Sequence, residues 1–165
     1  MNSEKGVSIV QTSTISTQEP LTRAIAQLAG ALNAKNIPVQ HTLDEAPADD
    51  LRILIADVES QTAQRILNAA QTTVPDTAES MALVQGKASD QTTILACGTD
   101  TRGIVYAILE LADRVTHSEN PFDALSLPQP IVEQPANTIR SIARLFTSEV
   151  EDKHWFYNRD FWKHY

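Results

Sequence analysis

The sequence predicts an α+β domain, in which helices pack on one mixed β-sheet in the order β-α-β-β-α-β-β-α. Three observations predict it. Residues 92–115 run from an apolar, β-branched strand through a glycine turn into an amphipathic helix. Helices separate the pairs of strands, which is typical of a two-layer α/β arrangement or an open sandwich. A turn at residues 86–90 predicts an antiparallel hairpin, which excludes an all-parallel sheet.

The first half of the chain predicts three strands and one helix. Residues 6–11 and 37–41 form short strands, and residues 51–58 form a strong one. The helix between the first two strands begins near Pro20 and ends before Pro38, which has no N–H to continue it. Its apolar residues recur at helical spacing. They are Leu21, Ile25, Leu28 and Leu32.

The second half repeats this alternation. Ser60 is placed to cap a second helix, and Thr99 or Asp100 to cap a third, because their side-chain oxygens accept free N–H groups of a first turn. Residues 79–85 and 92–97 form the two strands of the hairpin. We expect apolar residues of this half to form a single core together with Ile25, Leu28, Ile53 and Ile55 of the first half. The residues of this half are Ile94, Leu95, Ile104, Ile108 and Leu111.

The chain changes character after the third helix. Residues 1–119 form the predicted α/β domain, and residues 120–137 a linker that four prolines punctuate. Residues 138–146 then form another strand. Of nine aromatic residues in the chain, six lie in the last eleven, and Trp155 and Trp162 fit one side of a tail helix.

Charge and hydropathy exclude several classes of partner. The net charge of −8 argues against nucleic acid, because phosphate binding needs clustered Lys and Arg. It argues equally against an anionic membrane surface. No window approaches the roughly 18 apolar residues of a membrane span, and the first residues do not have the apolar pattern that predicts a signal peptide. The compartment stays open, with a secreted or periplasmic parent protein as one alternative, and the sequence predicts no cofactor.

The glycine turn invites comparison with phosphate loops. Residues 98–103 (GTDTRG) have the GxxxxG spacing between a strand and a helix, but Ile104 and Val105 replace the Lys-Ser/Thr that grips phosphate and magnesium. A structural turn is therefore favoured over an anion site. Cys97, the one cysteine, is predicted to be a small buried residue and not a nucleophile.

The remaining polar residues predict no catalytic or metal site. None of the four histidines has a neighbour at metal-ligand spacing. Glu149, Glu151 and Asp152 are adjacent acids of the kind that glycoside hydrolysis uses, but acids also favour a helix N-terminus. The aromatic tail is suited either to stacking on sugar rings or to packing against another part of a protein.

The pattern G-x-D-x-R-G-x-x-Y-A-x-x-x-L resembles the small α/β domain that precedes the catalytic barrel of β-hexosaminidase-like and α-glucuronidase-like glycoside hydrolases. The resemblance is sharp over about 25 residues. The matching residues are Gly98, Asp100, Arg102, Gly103, Tyr106, Ala107 and Leu111.

The resemblance implies that residues 138–165 are the first strand and helix of a truncated (β/α)₈ barrel. In such enzymes an Arg of that strand grips the sugar, which implies this role for Arg140 or Arg144. The catalytic carboxylates lie on later barrel strands, so no residue here is expected to be catalytic.

The leading hypothesis is therefore a non-catalytic N-terminal domain that supports the barrel of a carbohydrate-active enzyme. The alternative is a free-standing carbohydrate-binding or interaction module that uses the aromatic tail, with Trp155 and Trp162 as binding residues. A third hypothesis is a small hydrolase using Glu149, Glu151 or Asp152. The expected partners are the missing barrel, an oligosaccharide, or a second copy associated through the aromatic tail.

Overall fold

A computed structural model describes residues 6–12, 15, 18–43, 51–88, 91–137 and 157–164. The elements in chain order are β1 Val7–Gln11, α1 Glu19–Ala34, β2 Val39–Leu43, β3 Leu51–Asp57, α2 Gln61–Ala69, β4 Met81–Ala88, β5 Gln91–Gly98, α3 Thr101–His117, α4 Pro121–Ala124, β6 Ile131–Glu133 and α5 Arg159–His164. The predicted order of strands and helices is confirmed through α3.

Six strands form one mixed sheet in the order β2-β1-β3-β5-β4-β6. Strand β1 pairs in parallel with β2 and β3, and β3 pairs in parallel with β5. Strand β4 runs antiparallel to both β5 and β6. The α+β class and the hairpin between β4 and β5 are therefore confirmed.

Helices cover both faces of the sheet. The sequence predicted either a two-layer arrangement or an open sandwich, and the structure has the open sandwich. Helices α1 and α3 bury their apolar stripes on one face, against alternate residues of the strands such as Ile9, Ile53 and Ile94. The predicted stripe of each helix is buried. On this face the buried residues of α3 run from Ile104 through Leu111 to Val115, so the helix packs on the sheet along most of its length.

The opposite face carries α2 and a smaller core. Ile66 and Leu67 of α2 pack there against Leu54, Val84 and Leu95 of the strands. The expectation of one core containing both Ile94 and Leu95 is therefore wrong, because successive side chains of a strand point to opposite faces. Each face has its own apolar cluster.

The chain divides into two compact units, Met1–Pro135 and Ala136–Tyr165. The first unit includes α4 and β6, which lie inside the range predicted as a linker. Leu125 and Leu127 are buried, and the Leu127 N–H donates to Gln85 Oε1 (2.9 Å). Apolar side chains thus attach part of this proline-containing segment to the sheet. The boundaries at 119 and 137 stay predictions, and the predicted strand 138–146 lies outside the described residues.

None of the helices in the described ranges is long and apolar enough to span a membrane. The longest, α3, spans Thr101–His117 and has polar and charged residues on its outer side, including Arg102 and Asp113.

Candidate functional site: the junction of β5 and α3

Asp100 connects the start of α3 to a second segment of the chain. Its Oδ1 accepts a hydrogen bond from the Gly103 N–H (2.9 Å), which caps the helix. Its Oδ2 accepts from the Glu79 N–H (3.0 Å), which belongs to the turn before β4. A carboxylate also suits this position because the helix N-terminus carries a partial positive charge. The sequence offered either Thr99 or Asp100 as the cap, and the structure shows that the cap is Asp100.

Two glycines allow the strand, the helix and the turn to meet. A Cβ atom on Gly98 would lie 2.4 Å from the Ile104 backbone nitrogen. A Cβ on Gly103 would lie 2.2 Å from the carbonyl oxygen of Ser80. Both contacts are with backbone, which has little freedom to move away, so larger residues would push the segments apart. Glycine at both positions therefore permits the close packing of the strand, the helix and the turn.

Glu79 holds the turn from the other side. Its backbone has φ 67°, a left-handed conformation that costs a non-glycine residue about 1–2 kcal/mol. Its carboxylate accepts from Arg102 Nη1 (2.9 Å) at Oε1 and from the Tyr106 hydroxyl (3.2 Å) at Oε2. The side chain is only 11% exposed, so these contacts are partly shielded from water. They offset the strained backbone.

Thr99 adds two further bonds to the same turn. Its N–H donates to the Ser80 carbonyl (3.1 Å), and its hydroxyl donates to the Thr77 carbonyl (2.8 Å). We call the segments 77–80 and 98–106, joined by these bonds, the β4–α3 latch. The sequence pattern that carries the family resemblance therefore forms an internal tie between two neighbouring elements.

The contacts of the latch explain the phosphate-loop spacing of residues 98–103 without a bound phosphate, because the chain itself bonds to N–H groups at the helix start. The Gly103 N–H bonds to the Asp100 side chain, and the Ile104 N–H bonds to the Asp100 carbonyl (3.1 Å). Asp100 and Glu79 also place two carboxylates at the helix start, where they repel an anion. The structural reading of residues 98–103 fits this geometry.

Cys97 precedes the latch on β5 and is fully buried. Burial raises the pKa of its thiol to about 12, while a hydrogen bond to the Ala82 backbone lowers this pKa and the charge of Asp57 raises it, each by less than burial does. The thiol is therefore protonated at neutral pH, and a protonated, buried thiol is a poor nucleophile. The predicted role as a small core residue is confirmed.

Sheets with diverging connections bind ligands at the carboxyl ends of the strands, and here the connections diverge between β1 and β3. Gln11 ends β1 at this point, and its Nε2 donates to the Ile15 carbonyl (3.5 Å). Both residues are buried, and Ile15 belongs to the core beneath α1. These two residues are thus engaged with each other and with the core.

Metal-binding side chains are not grouped within the described ranges, where no three His, Cys, Asp or Glu residues lie close enough to hold an ion. His41 and His117 are exposed on different elements.

The predicted sugar-binding residues are mostly outside the described residues: this applies to Arg140, Arg144 and Trp155, and also to the acids Glu149, Glu151 and Asp152. Trp162 lies on α5, whose first turn is capped by the Asn158 side chain. Its ring meets Phe161 edge to face, with 5.6 Å between the centroids. Tyr157, just before this helix, is 75% exposed. The sugar-binding roles stay predictions.

Glu79 is the residue that sequence reasoning missed. The alternating pattern placed it at the start of a strand, whereas it lies in the turn before β4 and faces Arg102 and Tyr106. No spacing along the chain signals this contact, because the partners are 23 and 27 residues away.

No protein-family model matches the sequence. No curated protein matches it either. Solved structures do match. The chain matches the structure of CpGH84D with a TM-score of 0.52 and 15% identity, over 80% of this chain and 20% of that chain. It also matches a GH138 enzyme targeting pectin rhamnogalacturonan II, with a TM-score of 0.49 and 20% identity, over 78% of this chain and 12% of that chain.

The likeness to CpGH84D shows a shared fold. The chain spans a fifth or less of the length of each of these two structures.

Proposed function

We propose that this chain is a non-catalytic domain of a carbohydrate-active enzyme, with the role of supporting and orienting a glycoside hydrolase barrel. The observation that carries the proposal is the β4–α3 latch. The polar residues of the pattern that resembles hexosaminidase-like and glucuronidase-like enzymes bond to a neighbouring turn of the same domain, which supports a structural use of the pattern. Asp100, Arg102 and Tyr106 all contact the turn at Glu79.

The fold comparison supports a domain that is one part of a longer enzyme. The chain aligns over most of its own length with a fifth of CpGH84D, whose remaining length lies outside the alignment. A (β/α)₈ barrel needs about 250 residues. In this proposal Arg140 and Arg144 belong to the first barrel strand, and the second compact unit is the start of the barrel.

The alternative is a free-standing carbohydrate-binding or protein-interaction module. Exposed Tyr157 and the Phe161–Trp162 pair favour it, because aromatic faces stack on the apolar faces of sugars.

Isothermal titration against a panel of oligosaccharides separates the two functions. The supporting domain is expected to bind none of them. Binding that is lost in Trp162→Ala, and kept in the matched variant Val132→Ala on strand β6 of the first unit, would favour the module. Turnover of an aryl glycoside by this chain alone would contradict the supporting role and favour the small hydrolase.

A second experiment tests the supporting role directly. In the longer enzyme, Asp100→Ala breaks the latch inside the supporting domain and changes no residue of the proposed barrel. The expected result is a lower midpoint of thermal unfolding, with kcat/KM per folded molecule unchanged. A large fall in kcat/KM at a temperature where the variant is fully folded would give the latch a catalytic role and overturn the proposal.

A further inference from the structure

The two edges of the sheet differ in how well they are protected against pairing with another strand. Strand β6 has three residues, includes Glu133, and lies between Pro130 and Pro135. Short strands, charges and prolines all discourage edge-to-edge association. Strand β2 has five residues with no Lys, Asp, Glu or Pro among them. It ends with Leu43, which is 64% exposed and is the most exposed of the large aliphatic side chains in the described ranges.

The outer side of β2 presents the backbone groups of alternate residues. The Val7 N–H donates to the Pro38 carbonyl (2.9 Å), and Val7 lies opposite Val39 in the parallel register. In a parallel pair, a residue bonds to the two residues on either side of its register partner. The residues on either side of Val39 therefore face β1, and the backbone groups of Val39 itself face away. Val39, His41 and Leu43 therefore direct their N–H and C=O groups outward. The described strands include none beyond β2 on this side.

The sequence of β2 is self-complementary when two copies run antiparallel around His41. In that register His41 lies opposite its own copy, and Val39 lies opposite Leu43. Opposed residues point to the same face, so the apolar side chains of Val39 and Leu43 meet. Gln40 and Thr42 meet on the other face, polar against polar. The outward groups of His41, Val39 and Leu43 supply about six hydrogen bonds, because each opposed pair of this kind exchanges two.

The geometry points to a two-fold symmetric dimer of this chain, formed by antiparallel pairing of β2 with β2 of a second copy, which joins the two sheets into one. Two-fold dimers use the same surface patch on both copies, as this register does. Few residues are buried, and interfaces below about 1,200 Å² are weak. The dimer is therefore concentration-dependent. It uses a different surface from the aromatic tail and is independent of the carbohydrate role.

Sedimentation velocity of the full chain across a range of concentrations tests the dimer. We expect the mass to rise with concentration from 18.1 kDa to twice that value. Leu43→Lys should keep the chain monomeric, because a lysine at an edge blocks pairing. The matched variant Val132→Lys changes an exposed residue of the other edge and should still dimerise. A monomer at all concentrations, or a dimer that survives Leu43→Lys, would overturn the proposal.

A cross-link tests the register. Opposed, hydrogen-bonded residues have Cα atoms about 5.5 Å apart, within the usual disulfide range of about 4.4–6.8 Å. His41→Cys should therefore form a covalent dimer under mild oxidation. In Gln40→Cys the two residues lie on the diagonal, with Cα atoms about 7–8 Å apart, and should cross-link far more slowly. Native Cys97 is buried and does not interfere. Equal cross-linking of both variants would contradict this register.

One more variant separates this surface from the tail. Trp162→Ala should leave the dimer of the full chain unchanged. Loss of the dimer in Trp162→Ala, with no effect of Leu43→Lys, would assign self-association to the aromatic tail instead.

Discussion

The junctions β3–α2 and β5–α3 have the same arrangement of strand, turn and capped helix, but a different number of chain segments meets at each. In each, a strand of the parallel part of the sheet leads through a short turn into a helix whose cap accepts the N–H three residues on. Ser60 accepts from Ala63 (3.2 Å), and Asp100 accepts from Gly103 (2.9 Å). At β5–α3, however, the turn that enters β4 also crosses the helix start.

The crossing segment explains the difference in residue types. A serine suffices where one N–H needs an acceptor. Asp100 bonds to two segments of the chain, because one oxygen caps α3 and the other accepts from the Glu79 N–H in the turn before β4. Gly103 lies where the crossing backbone leaves no space for a side chain. The distinctive pattern at β5–α3 therefore follows from a third segment at the junction. This difference predicts how four pairs of variants should rank in urea unfolding.

The largest effect is expected from the helix that the latch holds. Leu111→Ala of α3 should lower the free energy of unfolding by about 2–5 kcal/mol, as buried leucine truncations do. Leu111 is fully buried in the larger core, so little can relax into the cavity. Leu67→Ala of α2, in the smaller core, should cost less. An equal or greater cost for Leu67→Ala would contradict the expectation that the larger core contributes more to stability.

Gly103→Ala should lower the free energy of unfolding by about 3 kcal/mol, at the upper end of overpacking costs, because its Cβ meets a backbone carbonyl. The matched variant is Gly30→Ala in α1, whose Cβ would meet nothing within 4 Å. It should stabilise the protein by about 0.5–1 kcal/mol, since alanine favours helix more than glycine. Destabilisation by Gly30→Ala, or none by Gly103→Ala, would contradict the packing argument.

Asp100→Ala should lower the free energy of unfolding by about 2–3 kcal/mol, because it removes a helix cap and leaves the Glu79 N–H without its acceptor. Ser60→Ala removes only a helix cap and should lower the free energy of unfolding by about 1 kcal/mol. Asp100→Asn sharpens the comparison. The amide keeps one acceptor oxygen, so it should lose only the second bond and fall between the two. If both alanine variants cost the same, the bond to Glu79 adds nothing.

The smallest effect is expected inside the latch itself. The Ser80 hydroxyl is buried, and no hydrogen-bond partner reaches it within the described structure. Ser80→Ala should therefore be neutral or slightly stabilising, because it removes a buried polar group that gains nothing. The control is Thr99→Val, which loses the bond to the Thr77 carbonyl (2.8 Å) and should destabilise. A clear loss of stability in Ser80→Ala would reveal a partner for the hydroxyl.

Local patterns in the sequence predicted the elements well where one physical cause dominated. The stripe at Leu21, Leu28 and Leu32 predicted α1. The turn predicted at residues 86–90 indicated the hairpin, although β4 continues through Ala88, because its last residues pair with β5. Strand β2 lies two residues later than predicted, because pairing with β1 decides where a weak strand begins. Strand β6 was missed, since three residues between prolines carry no periodicity, and only its pairing with β4 makes it a strand.

The sequence by itself determined the fold class, the cap at Ser60 and the apolar strand that contains Cys97, because the pattern of neighbouring residues predicts each of them. Gly98 meets the nearby Ile104 backbone, whereas the need for glycine at 103 comes from Ser80, which is distant in sequence. Only the tertiary structure decided which face each core residue joins and what Asp100 and Glu79 bond to. Those contacts link residues more than 20 positions apart. Their energies arise only once the sheet has brought the turn before β4 onto the start of α3.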